Sequence, residues 1–148
     1  MRQTVTVDQI EVFLRAVDQS FPIPLSDKQD LSAYARKLYE HATLCAACKD
    51  GKIVSMVAGY TENLTGDWAY IAIVATLPEG RGQGTARRLV QEFIQICAQK
   101  QVRAVHLYAV SENIAAMRLY QTLGFRALQL DDEPRKSDAH LIYDIEVL

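Results

Sequence analysis

The residues with the clearest chemical potential lie between 77 and 89, in the run LPEGRGQGTARRL. Gly80, Gly82 and Gly84 alternate through this turn, and glycine reaches left-handed backbone angles while letting a ligand approach the main chain closely. A helix that begins directly after such a turn offers free amide donors and the positive end of its dipole, which together suit an anion such as pyrophosphate. Arg81, Arg87 and Arg88 add charge of the right sign. Two familiar phosphate ligands are excluded by the spacing. A nucleotide P-loop requires a lysine that this turn lacks. A dinucleotide fingerprint requires a third glycine where Arg87 stands, and an acidic residue at the end of the next strand, near Leu107, which is absent.

The surrounding elements follow from hydrophobic periodicity. Thr4–Thr6 reads as a short strand, and Thr6 with Gln9 forms a capping box for a helix whose Ile10, Phe13, Leu14 and Val17 make one apolar stripe. Pro22 and Pro24 lack amide donors and interrupt it, and a second helix restarts near Ser26 with Leu31, Tyr34, Ala35 and Leu38 on one face. From Ala42 the period changes to that of strands, and Asp50-Gly51 marks the tip of a hairpin. A strand over Trp68–Ala75 leads into the glycine turn, and a helix over Thr85–Gln99 leaves it. A strand at 102–110, a helix over Asn113–Leu123 and strands over Phe125–Leu130 and His140–Val147 complete the order βααβββαβαββ. The fold class is therefore α/β, with a mixed sheet flanked by helices in a single domain spanning residues 1–148.

Composition bounds the function. Hydrophobic residues make up 49% and charged residues 23%, so the chain folds around a core. The formal net charge of −2 supplies no global field for a nucleic acid or an anionic membrane, and neither is expected as a partner. No apolar run reaches the length of a membrane span, and MRQTVTVDQI lacks the apolar stretch of a secretory signal, which predicts a cytoplasmic protein. Cys45, Cys48 and Cys97 are an odd set without framework spacing. Cys45 and Cys48 stand three apart, which on a strand puts them on opposite faces, so they read as buried structural thiols and no metal is expected.

Two motifs then resemble the GNAT superfamily of acetyl-CoA-dependent N-acetyltransferases. The family's pyrophosphate motif is matched by Arg81, Gly84 and Ala86, within a longer strand and turn, ATLPEGRGQGTARRL, that is similar to the family signature. A second motif is matched by Asn113, Ala116, Tyr120 and Leu123-Gly124-Phe125. The resemblance is strong over residues 68–126, and Ala86 occupies a position often held by glycine. It implies acetyl-CoA as the acetyl donor, with pyrophosphate on the backbone amides of Gly82, Gln83, Gly84, Thr85 and Ala86. It further implies the 3′-phosphate near Arg87 or Arg88, pantetheine along Val74, Ala75 and Thr76, and Asn113 against the cofactor arm. Tyr120 becomes the general acid for the leaving thiolate, its ordinary pKa of about 10 lying near that of a thiol.

The implied activity is transfer of acetyl to a primary amine by direct attack. The expected acceptor is a small molecule, such as an amino sugar or an amino acid derivative. A protein or peptide acceptor, or an acyl-CoA-binding module without turnover, are the alternatives, and a homodimer is left open. Attack requires an uncharged amine, whose ammonium form has a pKa near about 10. Many relatives place a carboxylate on the strand before the glycine turn, but WAYIAIVAT has none. Glu62, Asp67, His106, Tyr70 or a water relay are the candidates for the base, which stays unassigned. Asp131, Asp132 and Glu133 form an acidic run that reads as solvated, and Trp68, Pro22 and Pro24 are candidates for shaping the acceptor pocket.

Overall fold

The structure is a computed structural model that describes residues 4–21, 24–62, 68–129 and 138–145. Helix α1 (Val7–Val17) starts where the sequence signals it. Thr6 Oγ1 accepts the Gln9 amide at 3.1 Å, and Gln9 Oε1 accepts the Thr6 amide at 2.9 Å. This reciprocal cap satisfies donors that the helix cannot satisfy internally. The strand expected over Thr4–Thr6 does not form, because the Thr6 amide is committed to the cap and these residues join no ladder among the described ones.

The second helix, α2 (Leu31–His41), begins five residues later than the expected restart at Ser26, after a short 3-10 turn at Leu25–Asp27. Asp18 explains the delay. Its carboxylate, on a buried residue, accepts the Ser26 amide at 2.8 Å and the Ser26 hydroxyl at 2.6 Å, which holds that segment as a turn. Asp30 then caps α2 by accepting the Ser32 amide at 2.9 Å.

Strands β1 (Thr43–Lys49) and β2 (Lys52–Tyr60) pair antiparallel across a two-residue turn. Asp50 and Gly51 both have positive φ, 54° and 76°, the mirror-image turn whose twist matches the flanking strands. Next come β3 (Trp68–Thr76), α3 (Thr85–Gln99), β4 (Ala104–Val110), α4 (Ile114–Leu123), the two-residue β5 (Arg126–Ala127) and β6 (Asp138–Asp144). The last strands are shorter or shifted relative to the sequence reading, and residues 130–137 and 146–148 lie outside the described set.

The six strands form one mixed sheet in the order β1-β2-β3-β4-β6-β5, with β3 and β4 as its parallel pair. Helices cover both faces. On one face α1 and α2 bury Ile10, Phe13, Leu14 and Leu38 against Ile53, Met56, Ala58 and Ile73. On the other, α3 and α4 bury Leu89, Val90, Phe93 and Tyr120 against Val57, Ile71, Val105 and Leu107. Truncating Leu38 or Leu89 to Ala costs about 2–5 kcal/mol, the usual range for fully buried leucines. Cys45 packs in the α3 layer and Cys48 against the α1 layer, so the two thiols do take opposite faces. Burial pushes the Cys97 thiol up to about 12.

Two local features shape the middle of the sheet. Gly59 lies under α3, and a Cβ there would stand 2.5 Å from the Tyr70 carbonyl oxygen and 2.6 Å from Phe93 Cζ, so only glycine admits that ring. In the β2–β3 register, Ala58 opposes Ile73 while Gly59 opposes Ile71, which leaves Ala72 as an extra residue in β3. A bulge of this kind bends its strand. Pairing between β3 and β4 stops just before it: the parallel rungs are Trp68 with Ala104, Ala69 with Val105 and Tyr70 with His106.

Candidate functional site

The glycine turn is tied to the sheet at both ends. The Leu77 amide donates to the Val54 carbonyl at 2.8 Å, and Arg81 Nε donates to the Thr76 carbonyl at 3.2 Å. Arg81 therefore braces the strand end against the turn. Gly82 and Gly84 have φ of 78° and 71°, conformations that residues with a Cβ resist. Nothing lies within 4 Å of where a Cβ would stand at either glycine, so the space in front of this backbone is open.

Gly84 is the N-cap of α3 and supplies no side-chain acceptor. The first helical bond runs from the Arg88 amide to the Gly84 carbonyl at 3.1 Å. The amides of Thr85, Ala86 and Arg87 precede it and have no side-chain cap, so the N-terminus of a 15-residue helix faces open space. Arg87 and Arg88 are exposed beside it, with no ion pair among the described residues. This arrangement can hold a diphosphate through main-chain donors.

Before this turn, a cleft lies between β3 and β4. Past Tyr70, β3 remains bonded to β2 through Val57–Val74, Met56–Ala75 and Ser55–Thr76, while its other edge faces the gap. β4 is likewise bonded to β6, from Leu107–Leu141 to Val110–Asp138, and its β3-facing edge is unpaired. The gap exposes strand backbone to which an extended chain bearing amides can bond, as another strand would. The cleft encloses about 220 Å³, and Ile71 to Val74 and Leu107 to Val110 line it.

Helix α4 supplies one wall, through Asn113, Ala116 and Tyr120. Asn113 caps the helix, its Oδ1 accepting the Ala116 amide at 3.2 Å. The spacing of the second sequence motif thus has a structural reason. Gly124, at φ 109°, ends α4 in the left-handed conformation, and the Phe125 amide donates back to the Tyr120 carbonyl at 3.0 Å. The Phe125 ring then meets the Tyr120 ring edge-on at 5.5 Å. Cap and ring together fix Tyr120, which is 7% exposed. Its hydroxyl makes no hydrogen bond among the described residues, and burial pushes its pKa well above the usual tyrosine range. At neutral pH the phenol is therefore protonated, and it is a weaker acid than an exposed tyrosine.

None of the candidate bases read from the sequence lines this cleft among the described residues. Glu62 lies at the far end of α3, where Lys100 Nζ donates to its Oε1 at 2.9 Å and to Thr61 Oγ1 at 3.0 Å. The hydrogen bond and charge of Lys100 hold the Glu62 carboxyl below the usual range, which weakens it as a base. Tyr70 and His106 form the last rung at the vertex, below the cleft. His106 Nδ1 lies 2.9 Å from His140 Nε2, and Trp68, Tyr70 and Tyr108 pack rings around the pair. Asp67, Pro22 and the acidic run Asp131, Asp132 and Glu133 lie outside the described residues. Pro24 is the N-cap of the turn at Leu25–Asp27.

The structure adds residues that sequence reasoning missed. Phe21, Leu25 and Lys28, from the connection between α1 and α2, line the cleft together with Tyr108 and Asp138. The proline-broken segment was the available signal for the first three. Asp138 gave none, since its position depends on its register against Val110. Among the described residues no group of three or more His, Cys, Asp or Glu side chains is placed to hold a metal ion, and no helix is long and apolar enough to cross a membrane.

Comparison with known proteins places the chain in a family and a fold. The profile described as the acetyltransferase (GNAT) family matches residues 10–125. A 55-residue stretch is 36% identical to a mycothiol acetyltransferase of Tsukamurella paurometabola, covering 37% of this chain and 19% of that protein. A 56-residue stretch is 38% identical to N-alpha-acetyltransferase 30 of Schizosaccharomyces pombe, covering 38% of this chain and 37% of that one. The matched stretches thus span well under half the length of these curated relatives. The crystal structure of an acetyltransferase of the GNAT family from Staphylococcus aureus Mu50 has the same fold, with a TM-score of 0.78 at 15% identity, over 99% of this chain and 98% of that chain.

Proposed function

The chain belongs to the acetyltransferase (GNAT) family, and we propose that it moves an acetyl group from acetyl-CoA to the primary amine of a small molecule. One observation carries this reading. The free edge of β3 and the buried, unengaged hydroxyl of Tyr120 border one cleft, and β3 runs on from it into the turn that ends at the uncapped N-terminus of α3. In this reading the amides from Gly82 to Ala86 hold the pyrophosphate, with Arg87 or Arg88 near the 3′-phosphate. Val74, Ala75 and Thr76 offer backbone to pantetheine, and Asn113 borders its path. Those contacts bring the thioester beside Tyr120.

The chemistry follows from charge. The amine nitrogen attacks the carbonyl carbon, the C–N bond forms, and the C–S bond breaks as the tetrahedral intermediate collapses. Tyr120 gives its proton to the departing thiolate and regains one from the nitrogen side, either directly or through water. No covalent enzyme intermediate is required. Holding the two reactants together contributes about 7–11 kcal/mol toward lowering the barrier.

The test is release of free thiol when the purified protein is mixed with acetyl-CoA and a panel of metabolite amines. Turnover with small amines is expected. Turnover confined to peptides would move the acceptor to proteins. Tight acetyl-CoA binding by calorimetry, with no thiol released for any amine or peptide, would replace the transferase reading with an acyl-CoA-binding one.

A further inference from the structure

The connection between α1 and α2 enters the cleft wall through Phe21, Leu25 and Lys28, and one carboxylate outside the cleft holds it. Asp18 directly follows α1, and the residue is 7% exposed. Its Oδ1 accepts the Ser26 amide at 2.8 Å, and its Oδ2 accepts the Ser26 hydroxyl at 2.6 Å and Gln19 Nε2 at 3.2 Å. Both oxygens are thus engaged within the protein, and Asp18 is not among the residues that line the cleft. Ser26 sits in the middle of the 3-10 turn at Leu25–Asp27, where the Lys28 amide donates to the Leu25 carbonyl at 3.1 Å. Fixing Ser26 therefore fixes the two cleft residues on either side of it, Leu25 and Lys28.

A carboxylate is an unfavourable choice for this position on local grounds. It stands at the C-terminal end of α1, where the helix dipole is negative and a cation is preferred. The residue is buried, and a charge loses solvation there unless hydrogen bonds replace it. Helix stability alone would favour a neutral or basic residue. Local rules are broken where a site needs it, and what Asp18 gains is a pair of charge-assisted bonds from the end of α1 to a turn eight residues on. Phe21 and Leu25 add apolar anchors by packing against the α1–α2 core.

We propose that Asp18 is a positioning residue for the amine acceptor: its carboxylate holds Ser26, which sets Leu25 and Lys28 in the cleft wall, and acceptor affinity depends on that hold. The inference rests on the acetyl-transfer reading and deepens it by naming a residue that governs the acceptor side alone. In that reading the donor takes main-chain groups of β3 and of the glycine turn, and the hydrogen bonds of Asp18 reach neither. Loosening the connection moves the acceptor wall and leaves the donor in place. No bond forms or breaks at Asp18, which acts through Ser26.

The experiment uses the full chain with acetyl-CoA and a panel of amino acids, amino sugars, alkylamines and short peptides, and reads thiol release with whichever acceptor turns over fastest. Asp18→Ala should raise the acceptor KM by about tenfold, the loss expected for a charged hydrogen bond, while kcat and the acetyl-CoA affinity from calorimetry stay within about twofold. Asp18→Asn keeps an oxygen for the Ser26 amide, and Ser26→Ala keeps the amide but loses the hydroxyl, so each should raise KM only severalfold. These two carry the test if Asp18→Ala does not fold. Adding Ser26→Ala to Asp18→Ala should change nothing further, because the partner is already gone. Leu38→Ala removes a buried side chain of the same layer without removing a hydrogen bond from the connection, and where it stays folded its acceptor KM should match wild type. An unchanged acceptor KM in the folded Asp18 and Ser26 variants would overturn the proposal while leaving acetyl transfer standing. An equal rise in Leu38→Ala, or a matching loss of acetyl-CoA affinity, would overturn it too. Absence of thiol release from the wild type with every amine and peptide would remove the transfer reading itself, and the proposal with it.

Discussion

At the turn before α3, the groups that face open space are main-chain amides, set by glycines at positive φ and by a helix end without a cap. Where the cleft between β3 and β4 meets the α1–α2 connection, they are side chains, Phe21, Leu25, Lys28 and Asp138, drawn from parts of the chain more than a hundred residues apart. The first half suits a ligand common to many proteins, because backbone donors do not depend on side-chain identity. The second half is free to change, because replacing one side chain alters its charge without disturbing a helix or a turn. A constant donor and a variable acceptor are the natural partners of such a division.

The comparison breaks most visibly at Tyr120, where the halves meet. Tyr120→Phe keeps the ring on Phe125 and removes the proton donor, so single-turnover acetyl transfer should fall by about 10²–10⁴ while acetyl-CoA affinity holds. A rate near wild type would make Tyr120 a packing residue. A smaller effect belongs to the backbone half. Gly84→Val places a β-branched residue at φ 71° and a side chain in the open space before the helix end, and should weaken acetyl-CoA binding by about tenfold or more in calorimetry. The acceptor KM should move little.

Asp18→Asn probes the other half from outside the cleft. The Ser26 hydroxyl and amide hold the Asp18 carboxyl below the usual range, so its contribution to stability is present above the ordinary aspartate pKa, about 3.9, and is lost as pH falls through the lowered value. The variant should melt lower than wild type at neutral pH, with a flatter dependence below about pH 4. Because Ser26 adjoins Leu25 and precedes Lys28, the acceptor KM should rise severalfold with acetyl-CoA affinity unchanged. The smallest expected effect is at Arg87 and Arg88. CoA should bind more tightly than dephospho-CoA by no more than about fivefold at low salt, since exposed ion pairs contribute about 0.2–1 kcal/mol. The preference should fade above about 0.15 M ionic strength.

These halves were unequally legible in the sequence. Glycines alternating between a strand and a helix announce a backbone anion site, because few residue types tolerate those angles, and the spacing from Asn113 to Phe125 encodes a helix with its two caps. The capping box at Thr6 and the hairpin tip at Asp50-Gly51 were legible for the same reason: each is a local rule met by adjacent residues. Lys28 and Asp138 obey no local rule. Asp138 reaches the cleft only through a sheet order in which β6 inserts between β4 and β5 and brings it to the open end of β4. The strand expected at Thr4–Thr6 failed through competition, since one amide cannot serve both a cap and a ladder. Glu62 looked free in the sequence because Lys100, its partner, is contributed by a helix end that the sequence does not place near it.

Ala72 gives the cleft an unexpected kind of fragility. Ile71 packs with the α3 layer and Ile73 with the α1 layer, and immediate neighbours on a regular strand already point to opposite sides. Deleting Ala72 would therefore misplace no core side chain. It would only restore the regular pleat, and with it the chance for β3 and β4 to continue zipping past Tyr70 and His106. The gap between β3 and β4 thus begins beside a single extra residue, one codon long.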